Sequence, residues 1–181
     1  MQITNALHQL HKAGIAHRDI KLENIMLTSD FQIKLIDLGY GLPLDGRKGT
    51  GYMKTRCGTY MYMSPETLDR NIYYQGQDSD CFALGVSLLI ARLNDYPWVR
   101  PDIQTDAHYK ALAGSHGVNS EKFWDLYRNL NISEDFMNLI ESMLAVDPSS
   151  RPTIVDVIGH AWFRGKVDTK EEFRQKCEVY F

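Results

Sequence analysis

With 181 residues, 44% of them hydrophobic and 24% charged, the chain is long enough to bury one sizeable core and reads as a single globular domain. A formal net charge of -3 and a pI near 6.0 offer no general attraction to phosphate backbones or anionic membranes, so nucleic acid is excluded as an expected partner. Cys57, Cys81 and Cys177 are odd in number and form no Cys-x-x-Cys pair, which argues against a disulfide scaffold or zinc ribbon and fits an intracellular, cytoplasmic or nuclear setting.

Residues 3–10 carry Ile3, Ala6, Leu7 and Leu10 at helical spacing, and Gly14 stands where a helix C-cap would end the run. The opening residues mix histidines and polar groups with apolar ones and lack the basic start and apolar middle of a secretory signal. Two strand-like runs, residues 25–27 and 32–36, flank Thr28, Ser29 and Asp30; this is turn chemistry, and a small hairpin is expected. Residues 37–62, rich in Gly, Lys and Arg and without lasting periodicity, predict a long functional loop.

Residues 79–92 are apolar nearly all round and predict a central buried helix. The most apolar stretch, 82–93, contains Arg92 and is too short to span a bilayer, so no membrane partner is expected. Residues 133–144 and 153–158 are amphipathic, and no internal repeat or Gly/Ser-rich linker interrupts the chain. Strands first and helices after, in separate blocks, predict an α+β domain that is mainly α-helical, with the small β-hairpin near its front.

His17, Arg18, Asp19, Ile20, Lys21, Leu22, Glu23 and Asn24 follow the first helix directly, and Asp37-Leu38-Gly39 follows the hairpin. Further on come Cys57-Gly58-Thr59 and Ser64-Pro65-Glu66, then Asp80 with Gly85, then Asp147-Pro148-Ser149-Ser150-Arg151-Pro152. Taken singly each is weak, since an Asp after Arg is commonly a surface ion pair and Asp-Leu-Gly commonly a turn. In this order and at these spacings they resemble the signature set of eukaryotic Ser/Thr protein kinases, over almost the whole chain.

The resemblance implies a kinase-like C-terminal lobe over residues 1–163 and a C-terminal tail over 164–181. It implies ATP and Mg²⁺ as cofactors and protein substrates as partners. Phosphoryl transfer needs a carboxylate to receive the proton of the attacking hydroxyl and oxygen ligands for hard magnesium ions. By resemblance Asp19 fills the first role and Asn24 with Asp37 the second, while Lys21 offsets charge on the transferred group, as in kinases that act on Ser/Thr. Lys21, Glu23, Asn24, Met26 and Asp37 would line the nucleotide site, and Thr59 would bond Asp19 and Lys21. Thr55 stands at the family's phosphorylation position with Arg18 as the receiving cation. His17 belongs to the catalytic-loop motif as a structural member, Arg151 should pair with buried Glu66, and Asp80 should accept catalytic-loop amides.

Several features have plain readings as well. His8 and His11 lie one turn apart without a third ligand and are expected on a solvated helix face. Arg47, Lys48, Lys54 and Arg56, interleaved with Gly46, Gly49 and Gly51, suit an exposed loop more than an anion site. Trp98, Trp124 and Trp162 are expected to pack between helices. Leu38 replaces the family's Phe and is expected to pack beneath the catalytic loop; Phe82 replaces its Trp.

No Gly-rich loop followed by a strand lysine is found, so the resemblance implies that the N-terminal lobe lies outside this chain. The surface it would cover is expected to be apolar and to take that lobe or a regulatory partner chain. Two readings stand side by side: a Ser/Thr kinase, and a pseudokinase-like binding module without catalysis. A metal-dependent hydrolase built on Asp19 and Asp37 leaves Lys21, Thr59, Glu66 and Arg151 without roles.

Overall fold

Helix α3 (Gly76–Leu93) is the axis of the molecule, and nearly all its apolar side chains, from Cys81 and Phe82 to Leu89 and Leu93, are buried. A helix apolar on every side must be wrapped by other elements, and here it is. The computed structural model describes residues 1–45, 51–69, 71–113, 120–165 and 168–178, so Arg47 and Lys48 lie outside the described residues.

Helix α1 (Gln2–Lys12) ends at Gly14, whose φ of +78° is a left-handed conformation natural to glycine. Strand β1 (Ile15–Ala16) follows, then residues 17–21 and a 3-10 turn (Leu22–Asn24). β2 (Ile25–Leu27) and β3 (Ile33–Leu35) form the antiparallel hairpin, with Met26 opposite Lys34. The chain then returns as β4 (Leu42–Pro43) to pair with β1, and Met53 bridges to Tyr74. These contacts pin both flanks of a stretch that has no periodicity of its own.

Short helices α2 (Pro65–Leu68), α4 (Ala107–Ala113) and α5 (Ser120–Asp125) surround α3. So does α6 (Glu134–Met143), capped by Ser133 Oγ accepting the Phe136 amide at 3.3 Å. α7 (Ile154–Gly159) starts from a capping box of Thr153 and Asp156. The region read as a tail contains α8 (Lys170–Glu178), which meets the hairpin through an edge-to-face contact of Phe173 with Phe31, centroids 5.8 Å apart.

The fold is α+β and mainly helical, and α3 packs on α6 while α1 packs on α7 and β3. Gly85 makes the first pairing close: a Cβ there would lie 2.9 Å from the Met143 Cβ. Trp98 and Trp124 are buried and Trp162 partly so, each edge-on to an aromatic neighbour. Among the described residues no helix is long and apolar enough to cross a membrane.

Candidate active site

The loop after β1 is held from below by one carboxylate. Asp80, on α3 and 1% exposed, accepts the His17 amide at 2.8 Å and the Arg18 amide at 2.7 Å. It also takes the His11 ring at 2.9 Å. His11 therefore does not lie on a solvated helix face as expected; it is buried, because α1 turns that side toward the α3 carboxylate. Arg18 adopts φ +69°, an uncommon backbone for a non-glycine residue, and the Asp80 bond to its amide helps hold it there. His17 Nε2 donates to the Ile36 carbonyl at 2.9 Å and Nδ1 accepts the Asp19 amide at 3.3 Å, a pair of bonds served by the Nε2–H tautomer.

Asp19 is 5% exposed, and each of its oxygens is held. Oδ2 pairs with Lys21 Nζ at 2.8 Å and accepts Asn24 Nδ2 at 3.2 Å. Oδ1 accepts the Thr59 amide at 3.1 Å and the Thr59 hydroxyl at 3.3 Å. Lys21 Nζ also donates to Thr59 Oγ1 at 3.1 Å, and the hydrogen bond it donates to Asp19 raises the Lys21 pKa above its ordinary value. Gly58, at φ +96°, lets this contact form: a Cβ would sit 2.8 Å from the Arg18 carbonyl oxygen.

Asp37 is exposed, at φ +63°, and its Oδ1 accepts the Gly39 amide at 3.0 Å. No direct bond links it to Asp19 or Asn24, but its charge is among those that raise Lys21. The Asn24 carbonyl accepts the Ile36 amide at 3.0 Å, which ties the hairpin's end to the loop that carries Asp19. Glu23 is exposed, and its charge adds to burial in pushing the Tyr62 phenol up to about 12. Met26, 50% exposed, projects from β2.

Farther down, Glu66 and Arg151 form a bidentate pair at 2.6 and 2.7 Å, both buried. The Arg151 guanidinium also donates to the Ala145 carbonyl at 2.8 Å and lies 4.9 Å from the Phe82 ring centroid. This pair fastens α2, and with it the segment carrying Thr59, to the base of the fold.

Comparison with known proteins decides what this arrangement belongs to. The protein kinase domain family model matches residues 1–163. The chain belongs to the protein kinase family. It is 33% identical to a probable serine/threonine-protein kinase, fhkC, of Dictyostelium discoideum, over 99% of this chain and 29% of that protein. Aurora kinase of Saccharomyces cerevisiae is 37% identical over 89% of this chain and 40% of its own length. Serine/threonine-protein kinase 33 of Mus musculus is 28% identical over 90% and 33%. The chain thus spans about a third of the length of the curated relatives it matches.

In this kinase domain, Tyr74 organises the segment around Thr55, and nothing in the sequence singles it out. Its hydroxyl accepts from Arg18 Nε at 3.0 Å and from the other guanidinium arm at 2.8 Å, and it donates to the Thr55 carbonyl at 2.8 Å. Arg18 reaches that carbonyl as well, and the Tyr40 carbonyl at 3.2 Å. The guanidinium thus meets the backbone of Thr55, whose side chain is exposed. Leu38 is not packed beneath the catalytic loop; it is 52% exposed in the turn closed by the Gly41 amide on its carbonyl.

Proposed function

We propose that the chain is the catalytic, substrate-facing part of a Ser/Thr protein kinase that transfers the γ-phosphoryl group of ATP to protein hydroxyls. The observation that carries the reading is the Asp19 carboxylate, fixed by Lys21, Asn24 and Thr59, with the exposed Asp37 alongside. Asp19 orients the acceptor hydroxyl and takes its proton. Lys21, kept charged by Asp19, offsets the negative charge that develops on the transferred group. The names of the similar proteins support Ser/Thr as acceptors.

The donor set suits Mg²⁺: the exposed Asp37 carboxylate and the Asn24 side-chain oxygen are hard oxygen ligands. Held by Asp37 and Asn24, a Mg²⁺ ion would supply the positive charge that offsets the phosphates. Exposed Met26 would lie under the adenine, and exposed Glu23 would line the same nucleotide site. Exposed Met26, Ile36, Leu38 and Tyr40 support covering by an N-terminal lobe or a partner chain. The free Cys57 and Cys81 support a cytoplasmic or nuclear setting.

Phosphorylation of Thr55 would place a dianion beside Arg18 and strengthen the hold on the segment. The reading is tested by Mg²⁺-dependent ATP binding and transfer to a generic Ser peptide, in this chain and in one extended by the upstream sequence. Asp37→Ala should abolish nucleotide-dependent transfer, and Asp19→Asn should lower it by about 10²–10⁴-fold. Failure of both chains to bind ATP would leave the binding-module reading. Thr55→Ala with unchanged activation would remove the regulatory role.

A further inference from the structure

The segment that docks Thr59 on Asp19 is gripped a second time, at the backbone carbonyl of Thr55. The grip is made by Arg18 and Tyr74, which are 8% and 5% exposed. Between the two anchors Cys57 Sγ lies 3.9 Å from the Arg18 carbonyl, so residues 55–59 run alongside Arg18 and Asp19.

The Tyr74 hydroxyl is saturated by this grip. A phenol has one O–H to give and two lone pairs to fill. Arg18 fills the lone pairs through Nε at 3.0 Å and a terminal nitrogen at 2.8 Å, and the O–H goes to the Thr55 carbonyl at 2.8 Å. Arg18 closes the ring by donating to that same carbonyl, and its other terminal nitrogen meets the Tyr40 carbonyl at 3.2 Å. All these acceptors are neutral. Burial holds the phenol above its ordinary pKa, so it stays a neutral donor.

Tyr74 is itself fixed from behind. Its backbone pairs with Met53 through bonds of 2.8 and 2.9 Å, and its ring packs with Ala16 and Met53 in a small second core. The Thr55 side chain takes no part in the ring and is exposed. A buried guanidinium without acceptors would be costly, and here the phenol and two carbonyls remove that cost without an anion. The cation that a phosphate on Thr55 would meet is engaged beforehand.

We propose that Tyr74 is a positioning residue whose hydroxyl satisfies Arg18 and fastens the Thr55 carbonyl, so that the segment stays docked on Asp19 while Thr55 is unmodified. Phosphorylation then adds to a hold that already exists. The effect on transfer rests on Asp19 being the acceptor-binding group; the docking itself does not.

The test is limited trypsin digestion of the full chain after phosphatase treatment, followed by mass spectrometry, because Lys54 and Arg56 frame Thr55 and cutting reports the open population. Both bonds should be cut at least about tenfold more slowly than in a synthetic peptide of residues 51–62, and Thr55→Ala should match the wild type within about twofold. Tyr74→Phe keeps the ring in its core and should speed cutting at both bonds about tenfold, while the exposed Arg92 bond at the end of α3 is cut as before. In the chain extended upstream, Tyr74→Phe should lower kcat for transfer from Mg²⁺-ATP and leave KM for ATP unchanged. Four results would overturn the proposal: peptide-like cutting of the dephosphorylated chain or of Thr55→Ala, cutting of Tyr74→Phe that rises less than about threefold, an equal rise at Arg92, or transfer by Tyr74→Phe equal to wild type. No transfer in any form, with the cutting pattern as expected, removes the kinase reading and leaves the docking role of Tyr74 standing.

Discussion

Replacing Glu66 with Ala tests how the segment carrying Thr59 is anchored. The Arg151 side chain is fully buried and Glu66 nearly so, and two charge-assisted bonds of 2.6 and 2.7 Å join them. Removing one partner of a buried pair costs about 3–5 kcal/mol, because the other charge is left without compensation. Here Arg151 keeps the carbonyls of Ala145 at 2.8 Å, Val146 at 3.2 Å and Asp78 at 3.4 Å, so the lower end applies, about 3 kcal/mol. In a domain of this size each kcal/mol moves the melting temperature by about 2–4 °C, giving a drop of about 6–12 °C by circular dichroism. Glu66→Leu combined with Arg151→Met removes both charges and should recover most of the loss. A fall of less than about 2 °C for Glu66→Ala, or a double variant worse than Glu66→Ala alone, would refute the assignment of this pair as the anchor.

Gly58→Ala places a Cβ 2.8 Å from the Arg18 oxygen at a positive φ, so Thr59 should leave Asp19, the melting temperature should fall by about 2–4 °C, and the transfer proposed above should slow. In a Cys177→Ser background at pH 8, a thiol reagent should modify half-exposed Cys57 slowly and Cys81 only on unfolding, read by intact mass, since burial raises both thiols and pushes Cys81 to about 12. Burial raises the Asp78 carboxyl above 3.8, so its contribution to stability is fully present below that pH and lost as pH rises through the higher folded value. Asp78→Asn should therefore be the more stable form at pH 7 in urea titrations, with the gap closing below about pH 4. Lys21, raised above 10.5 by Asp19, should cause no loss of activity between pH 7 and 9.

Helices α1, α3, α6 and α7 were legible because each advertises itself locally, through apolar spacing or through caps such as Ser133 and Thr153. The hairpin was marked by the turn residues after Leu27. The β1–β4 pairing was not, since two residues on each side carry no period and the partners are about 27 positions apart in sequence, as in Ala16 opposite Leu42. Polar α8 resembles a tail. Tyr74 was hidden because its role depends on Arg18, far away in the chain. His11 was legible too: Thr4, Leu7 and His11 follow the spacing of one buried helix face.

Asp80 has a consequence for motion as well as for position. Backbone amides in loops ordinarily trade their protons with water through small local openings. The amides of His17 and Arg18 instead point into a carboxylate on the deepest helix, which also holds the His11 ring. Freeing them requires pulling the loop away from α3. Their deuterium uptake should therefore follow the slow schedule of α3 itself, so that the part of the chain nearest the chemistry ages in D₂O like the core and not like the surface.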